Sequence, residues 1–249
     1  LAYLASHNFL PSYGFPTDVV NLKVRKLEEL LKEQKQREDN LFIRQESPTR
    51  SLDVALREYA PGSQVVLDGK VYRSAGINLR TKSDEQGRNE NQQFDTSWRC
   101  HSCGTTGLTR YKYSQDAHIQ CYRCGTKIKE EDKHTVLRPM GFLTDFYEPT
   151  SNDVSTQKFI QPEAPRIQLN GTVAPFAYAD CGEIHYGSNG EVIYQSAGEH
   201  GHGFAICMKC GRADSMTVNN ELPFELKHIF HNTVGGEIYM LSMHEDCDI

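Results

Sequence analysis

Two Cys-x-x-Cys pairs, Cys100 with Cys103 and Cys121 with Cys124, constrain this chain more than any other feature. Seventeen residues separate the pairs, and a glycine follows each pair directly. Four thiolates at this spacing can surround one zinc ion as a tetrahedron. Two disulfides or a redox pair are the alternatives, but the matched glycines and the short polar connection favour a zinc ribbon. The sequence therefore predicts one zinc ion bound by these four cysteines.

A third knuckle of the same kind, Cys207 and Cys210 followed by glycine, predicts a second zinc site. Structural zinc takes four ligands, so two more have to come from elsewhere in the chain. We favour Cys247 and His231, the latter because it precedes a Gly-Gly pair that predicts a turn. A buried free thiol explains Cys181 as well as zinc binding does. The candidates that stay open are Cys181, His202, His228 and His244.

Cysteine use and hydropathy are typical of an intracellular metalloprotein. Eight cysteines in 249 residues, mostly in Cys-x-x-Cys pairs, suit a reducing compartment better than a disulfide scaffold. The sequence has no signal peptide and no long apolar run, so we expect a cytoplasmic location without membrane contact. The abrupt start at Leu1 and the end at Ile249 lead us to expect a fragment of a longer polypeptide.

Charge is unevenly distributed along the chain. Residues 97–140 carry eight Lys/Arg against four Asp/Glu, whereas residues 141–249 carry five against fifteen. Contact with a phosphate backbone is therefore expected on the ribbon. Arg110, Lys112 and Arg123 are the candidates, because tyrosines adjoin them and single strands are held by stacking combined with phosphate contact. Ordinary surface solvation, with the tyrosines packed in strands, explains the same pattern equally well.

The hydrophobic patterns predict an α+β, β-rich fold with a zinc-ribbon insertion and a second zinc-stabilised β domain. We expect an α/β segment with a β-hairpin over 1–96, the ribbon over 97–140, a linker over 141–165 and a β-rich zinc-binding domain, truncated at its C-terminus, over 166–249. Local signals predict a strand over 17–24, a surface helix over 25–39, a helix from Ser51 stopped by Pro61 and Gly62, and hairpin turns at Asp68-Gly69, Ser188–Gly190 and Gly235-Gly236.

Several catalytic motifs are absent from the sequence. It contains no G-x-x-x-x-G-K-[ST] phosphate loop, no DExH-like acidic box and no G-x-S-x-G elbow. We therefore expect neither ATP hydrolysis nor another reaction within this chain. His200 and His202 leave a metal-dependent hydrolase open, although they lack the H-E-x-x-H spacing of a helical zinc site.

Several segments occur in an order that resembles a known family: LPSYGFPTDVVNL, SLDVALREYAPGSQVVLDGKVYRSAGI, the ribbon, RPMGF and GFAICMKCGRADSM. This order is similar to the C-terminal region of bacterial superfamily-two DEAD/DEAH-box helicases, which carries the MrfA-type zinc-binding domain, formerly of unknown function. MrfA-like repair helicases and the Druantia and DISARM anti-phage helicases share this region. The resemblance covers nearly the whole chain.

The resemblance implies an accessory zinc-binding module, docked on the helicase core of the same polypeptide, with residues 1–96 associated with that core. The parent would use ATP to move on DNA in repair or phage defence, and ATP would bind only outside this chain. Two zinc ions are implied, and the family's late metal site matches Cys207 and Cys210 directly and Cys247 and His231 less closely. A protein-interaction scaffold that recruits a partner subunit without touching DNA is the alternative, favoured by the acidic C-terminal half.

Overall fold

The computed structural model describes residues 18–24, 47–79, 94–110, 118–145, 148–155, 157–169, 171–187, 190–208, 210–226 and 233–247. Within these ranges the chain is rich in strands and poor in helix, which confirms the predicted fold class. The helix predicted over 25–39 lies outside the described residues.

The described residues form fifteen strands, one α-helix and three short 3-10 helices. The strands and the helix are β1 (Val19–Lys23), β2 (Thr49–Ser51), α1 (Leu52–Glu58), β3 (Gln64–Leu67), β4 (Lys70–Ile77), β5 (Phe94–Arg99), β6 (Thr106–Arg110), β7 (Lys133–Leu137), β8 (Phe142–Thr144), β9 (Arg166–Leu169), β10 (Thr172–Pro175), β11 (Glu183–Tyr186), β12 (Gly190–Ser196), β13 (Phe204–Cys207), β14 (Ala213–Ser215) and β15 (Thr233–Cys247). The 3-10 helices are Glu130–Asp132, Ala179–Cys181 and Phe224–Leu226.

A five-stranded sheet has the order β2-β1-β8-β4-β3. Helix α1 contacts β1 and β2 of this sheet and also β12 and β15, which belong to the eight-stranded sheet described below. Leu52, Ala55 and Leu56 fall on one face of α1 and are buried, as the helical period requires. The helix predicted from Ser51 is therefore confirmed. The β3–β4 hairpin is confirmed too, because Asp68 and Gly69 have φ values of 51° and 71°, the two positive angles that a type I′ turn needs.

An eight-stranded sheet has the order β14-β13-β15-β7-β5-β6, with β12 also paired to β15 and β9 paired to β12. The turn predicted at Gly235-Gly236 is wrong, because β15 runs through both glycines without reversing. Phe204 pairs with Ile238 but Ile206 pairs with Val234, so β15 contains two extra residues there. Glycines inside a strand often mark such a bulge, which explains why the same residues that predict a turn sit within a strand.

The eight-stranded sheet curls until two of its outer strands, β6 and β9, approach each other. The hydroxyl of Thr106 on β6 donates to the carbonyl oxygen of Ile167 on β9 at 3.4 Å. The curled sheet encloses a small apolar cluster formed by Leu108, Val136, Ile193 and Ala197. The contact between β6 and β9 lies next to the ribbon, because Thr106 directly follows the first knuckle.

Several strand pairs join segments that the sequence analysis assigns to different parts of the chain. Strand β7, from the predicted ribbon, pairs in parallel with β15, and β8, from the predicted linker, pairs with β1 and β4. The described residues between β8 and β9 form no strand, yet part of this predicted linker is packed. Ile160 there is 1% exposed in the main core, and its amide donates to Ser63 Oγ at 3.1 Å. That core also includes residues of both sheets, from Val20 to Met240.

The hairpin β10–β11 forms a two-stranded sheet of its own. The hairpin predicted around Ser188–Gly190 is therefore wrong in its pairing: β11 pairs with β10, while β12 pairs with β15 and β9. Ser188 and Asn189 themselves lie outside the described residues. Among the residues that the structure describes, no helix has the length and apolar character needed to cross a membrane.

Candidate functional site: a four-cysteine metal centre

The four ribbon cysteines converge as the sequence predicts, with all four Sγ atoms within 4.8 Å of one another. Cys100 Sγ lies 3.6 Å from Cys124 Sγ, and Cys103 Sγ lies 3.5 Å from Cys121 Sγ. Four sulfurs bound to zinc at about 2.3 Å stand roughly 3.8 Å apart, so the cluster has about the size that a zinc ion requires. In the described part of the chain no second group of three or more His, Cys, Asp or Glu side chains converges in this way.

The backbone of each knuckle is folded by the same two hydrogen bonds. The Gly104 amide donates to Cys100 O at 2.9 Å, and the Cys100 amide donates to Thr105 O at 2.8 Å. The knuckle of Cys121 and Gly125 repeats both bonds at 2.9 Å. Both glycines have φ close to +70°, and a Cβ added to either would meet nothing within 4 Å, so backbone conformation rather than space selects glycine.

Threonine hydroxyls stabilise two of the sulfurs as thiolates. Thr105 Oγ1 and Thr126 Oγ1 lie 3.2 Å from Cys103 Sγ and Cys124 Sγ, respectively. A hydroxyl that donates to a thiolate favours the charged form, and this lowers the pKa of Cys103 and lowers that of Cys124 to about 6. Burial instead raises the pKa of Cys100 to about 11. Two thiols are thus ready to bind a cation, and a metal ion would displace the proton of Cys100.

The apolar cluster beneath the four sulfurs is small. It contains Trp98, Ile119 and Ile128 together with Cys100 and Cys121, and Cys103 packs against it. Trp98 is fixed by its Nε1, which donates to Thr109 Oγ1 at 3.1 Å, and by close packing over Gly107. A Cβ on Gly107 would lie 2.2 Å from Trp98 Cζ2. So small a cluster buries little apolar surface, and a bound metal ion would add a cross-link that the ribbon otherwise lacks.

Tyr122, between the cysteines of the second knuckle, braces the ribbon internally. Its ring packs edge-on against Trp98 with centroids 5.9 Å apart, and its hydroxyl donates to Thr106 O at 3.3 Å. Tyr122 therefore has the packing role that the sequence analysis gives as the alternative to base stacking. About half of the Tyr122 side chain, 49%, remains exposed.

Arg123, the next residue of the knuckle, is paired rather than free. Its Nη2 donates to Glu183 Oε2 on β11 at 2.6 Å, and this bond lowers the pKa of Glu183. Arg110, a second candidate for phosphate contact, is exposed at the end of β6. Lys112 lies outside the described residues. Sequence analysis missed Glu183, because its partner is 60 residues away and no local pattern marks the pair.

An open pocket of about 610 Å³ lies between the second knuckle and the β10–β11 hairpin. Its lining includes Thr105, Tyr122, Arg123, Ile167, Val173 and His185. Arg123, which bonds to Glu183 of the hairpin, belongs to the lining of this pocket.

The third knuckle has the backbone geometry of the two ribbon knuckles. The Gly211 amide donates to Cys207 O at 2.8 Å, the Cys207 amide donates to Arg212 O at 2.7 Å, and Gly211 has a φ of 78°. Cys207 is buried and Cys210 is exposed. Burial contributes most to the raised pKa of Cys210. A metal ion would therefore have to displace the proton of Cys210, as at Cys100.

The third knuckle is also docked on the five-stranded sheet. The Ile77 amide donates to Gly211 O at 2.8 Å, and a Cβ on Gly211 would lie 2.2 Å from Ile77 O. Next to it, Arg212 Nη2 donates to Asp145 Oδ2 at 3.0 Å, and Arg73 pairs with both Asp145 and Asp214. The Asp145 side chain is 3% exposed, so this ion network is largely buried.

The further ligands predicted for the third knuckle are not brought to it in the described residues. His231, His228 and the side chains of Cys247 and His244 lie outside them, and Cys181 is exposed at the end of a 3-10 helix. The backbone register argues against Cys247. Cys207 pairs with Thr233 at the start of β15, whereas Cys247 pairs with Gly190 at its end. Fourteen residues of extended strand span about 45 Å, far beyond the reach of one metal site.

His200 and His202, which suggested a metal-dependent hydrolase, lie in a glycine-rich loop between β12 and β13. His200 is exposed and His202 is half-buried. Neither belongs to a group of metal-binding side chains in the described part of the chain. The hydrolase alternative therefore gains no support.

Comparison with known proteins gives one informative similarity. Over 226 residues, which are 86% of this chain, the sequence is 26% identical to Druantia protein DruE from Escherichia coli (strain UMEA 4076-1). The match covers 12% of that protein, so this chain spans about an eighth of its length. No known protein family matches the chain. No solved structure matches it either.

Proposed function

We propose that this chain is a zinc-braced accessory module of an ATP-dependent DNA helicase or translocase that acts in phage defence, or in DNA repair, in a bacterial cytoplasm. The observation that carries the proposal is the similarity to part of DruE over 86% of the chain, together with the four convergent cysteines. ATP binding and turnover belong to other parts of such a polypeptide, because the chain has no phosphate-binding loop.

In this role the module supplies a rigid surface rather than chemistry. Zinc bound by Cys100, Cys103, Cys121 and Cys124 would cross-link irregular backbone that has too little apolar surface to fold alone. The knuckles are joined to the large sheet through β5 and β7, so the position of the ribbon is fixed relative to the rest of the module.

We further propose that the ribbon contacts single-stranded DNA through Arg110 and Lys112. The ribbon segment carries a net charge of plus four, eight cations against four anions, within a chain of net charge minus six. Arg123 contributes to this surface only when its bond to Glu183 opens.

The test is the salt dependence of oligo-dT binding by the full chain, measured by fluorescence anisotropy. The double variant Arg110→Glu/Lys112→Glu should weaken binding and reduce the slope of log K against log salt by about 0.7 for each lost phosphate contact. Lys70→Glu is the matched control, because Lys70 is exposed at the β3–β4 turn. An unchanged slope in the double variant would remove DNA contact from the ribbon.

We also propose a second zinc ion at Cys207 and Cys210, supported by the hydrogen bonds that their knuckle shares with the ribbon knuckles. His231 is the favoured third ligand, since it lies two residues before Thr233, the β15 partner of Cys207. His228 and Cys181 are the alternatives. Elemental analysis should find two zinc ions in the intact chain and one in Cys210→Ser. Cys247→Ser should retain both, and a loss in that variant would reject the ligand set.

The second candidate function is a protein-interaction scaffold that recruits a partner without DNA contact. Two observations favour it: Arg123 is neutralised by Glu183, and the C-terminal part of the molecule exposes apolar side chains among acidic ones. If the salt slope survives the Arg110→Glu/Lys112→Glu change, this function takes the place of DNA binding.

A further inference from the structure

Three arginines of the ribbon differ in what holds them. Arg99 and Arg110 are exposed, and in the described part of the chain neither forms an ion pair. Arg123 is held by Glu183, whose Oε2 lies 2.6 Å from Arg123 Nη2. A phosphate that approaches Arg123 therefore competes with a bound carboxylate, whereas one that approaches Arg99 or Arg110 does not.

Arg123 stands near the strand that carries the proposed DNA contact. Its neighbour Tyr122 donates from its hydroxyl to Thr106 O at 3.3 Å, which places the second knuckle beside the first residue of β6. Arg110 ends the same strand, four residues or about 14 Å further on. Arg99 pairs with Thr106 across β5 and β6. A single strand of DNA that follows β6 from Arg110 would therefore arrive at Arg123.

The bond between Arg123 and Glu183 is open to exchange. The two side chains are 31% and 53% exposed, and ion pairs this exposed contribute little to stability because water screens them. Arg123 also lines the pocket of about 610 Å³ beside the hairpin. A pocket of this volume admits a ligand of the size of a nucleotide. A phosphate with its sugar can therefore approach the guanidinium from the pocket.

The hairpin that carries Glu183 is suited to give up the arginine. It forms a two-stranded sheet of its own, and such sheets are marginally stable in water. His185 Nε2 lies 3.5 Å from Glu183 Oε2, so the carboxylate keeps a neighbouring donor when Arg123 leaves. Residues 167–208 contain no Lys or Arg. The hairpin thus offers the ribbon a carboxylate and offers an incoming phosphate no lysine or arginine of its own.

We propose that Glu183 makes an autoinhibitory contact: its carboxylate occupies Arg123 in place of a DNA phosphate, and a single strand has to displace it. This inference rests on the proposed DNA contact by the ribbon and adds a regulation of that contact. Because Glu183 is tethered in the same chain, it competes at a high effective concentration with a free strand. A strand already held at Arg110 and Lys112 has the same advantage, so exchange at Arg123 follows engagement of the rest of the ribbon.

The experiment compares the affinity of the full chain for labelled oligo-dT, measured by fluorescence anisotropy, in the parent, Glu183→Gln, Arg123→Gln and the double variant. Arg123→Gln breaks the same bond but also removes the cation, so it separates release of the arginine from loosening of the hairpin. Asp180→Asn is the matched control, because it removes an exposed carboxylate from the connecting loop of the same hairpin. Measurement at about 0.15 M salt screens charges that lie more than ~8 Å apart.

Glu183→Gln should bind oligo-dT about 2- to 5-fold more tightly than the parent, the range expected when an exposed ion pair no longer has to be broken. Arg123→Gln and the double variant should bind alike, and no more tightly than the parent. Asp180→Asn should bind like the parent. All variants should keep the zinc content of the parent, since none of them changes a cysteine.

Three results would overturn the proposal. Unchanged affinity in Glu183→Gln would show that the carboxylate does not compete with DNA. An equal gain in Asp180→Asn would assign the effect to the general charge of the hairpin, and a gain in Arg123→Gln would assign it to the loosened hairpin.

Failure of this proposal is distinguishable from failure of the proposed DNA contact through Arg110→Glu/Lys112→Glu. If that variant loses affinity while Glu183→Gln binds like the parent, the ribbon contacts DNA and the autoinhibitory contact alone is rejected. If both bind like the parent, the DNA contact is rejected and the autoinhibitory contact with it.

Discussion

Arg123 Nη2 donates to Glu183 Oε2 at 2.6 Å, and this bond joins a zinc knuckle to the β10–β11 hairpin. Arg123 stands between Cys121 and Cys124, so its backbone is fixed once those two cysteines bind a metal ion. The hairpin pairs with no other described strand. The order of the hairpin is therefore expected to depend on this bond and on the metal beneath it.

Glu183→Gln should loosen the hairpin without releasing zinc. Removing the carboxylate weakens the bond to Arg123, so amide hydrogen exchange over β10 and β11 should become faster. Glu58→Gln, which breaks the pair between Glu58 of α1 and Arg50 of β2, is the control and should leave exchange in the hairpin unchanged. If exchange over the hairpin is the same in Glu183→Gln and the parent, the bond does not hold the hairpin.

The same pair predicts a pH dependence. Arg123 lowers the pKa of Glu183 in the folded chain, so the contribution of the pair is present above the unfolded pKa of glutamate and is lost as pH falls through the lowered value. Protection of the hairpin amides should therefore decrease at acidic pH in the parent and change less in Glu183→Gln. Parallel behaviour of the two proteins in exchange measured across this range would contradict the assignment.

Trp98 should report on metal binding, because it is the single tryptophan of the chain and packs beneath the four sulfurs. Removal of zinc by a chelator should unfold the ribbon and shift the emission of Trp98 to longer wavelength, in step with the zinc released. Cys103→Ser should show the shifted emission without chelator. Release of the metal with unchanged emission would mean that the apolar cluster around Trp98 stays folded without the metal.

Alanine substitutions at two glycines with similar φ should have unequal effects. Gly104→Ala should cost about 1 kcal/mol, because its φ of 72° is unfavourable for alanine while the space around it is open. Gly211→Ala should cost roughly 1–3 kcal/mol more, since its Cβ would collide with Ile77 O at 2.2 Å. Urea unfolding gives both values, and equal costs would show that the third knuckle is not docked on β4.

Asp145→Asn should destabilise the fold by roughly 3 kcal/mol, because it leaves Arg73 and Arg212 without their shared, buried carboxylate. Glu148→Gln provides the comparison. Glu148 also approaches Arg73, at 3.7 Å, but is 50% exposed, so its removal should change stability by less than about 1 kcal/mol. Similar unfolding free energies for the two variants would contradict a stabilising role for the buried carboxylate of Asp145.

Local signals were enough to predict several parts of this structure. The spacing of Cys100, Cys103, Cys121 and Cys124 predicts the metal centre, and Asp68-Gly69 predicts a turn, because in both cases the residues that decide the geometry are neighbours in sequence. The helix from Ser51 follows from its own apolar period and from the Pro-Gly pair that stops it.

Pairing between distant segments was not predictable in this way. Gly235-Gly236 fits a turn or a bulge equally well, and only the register with β13 decides between them. Strand β11 pairs with β10 rather than β12, and the partners of Arg123 and Asp145 lie 60 or more residues away. Such contacts depend on how the two sheets curl and dock, and this cannot be predicted from any short segment of the sequence.

X-ray absorption at the zinc edge tests the central claim, a four-cysteine zinc centre in the ribbon, most directly. The double variant Cys207→Ser/Cys210→Ser removes the third knuckle, so that any remaining metal belongs to the ribbon. We expect one zinc ion per chain with four sulfur neighbours at about 2.3 Å. A chain without zinc, or a zinc ion surrounded mainly by nitrogen and oxygen, would contradict the account.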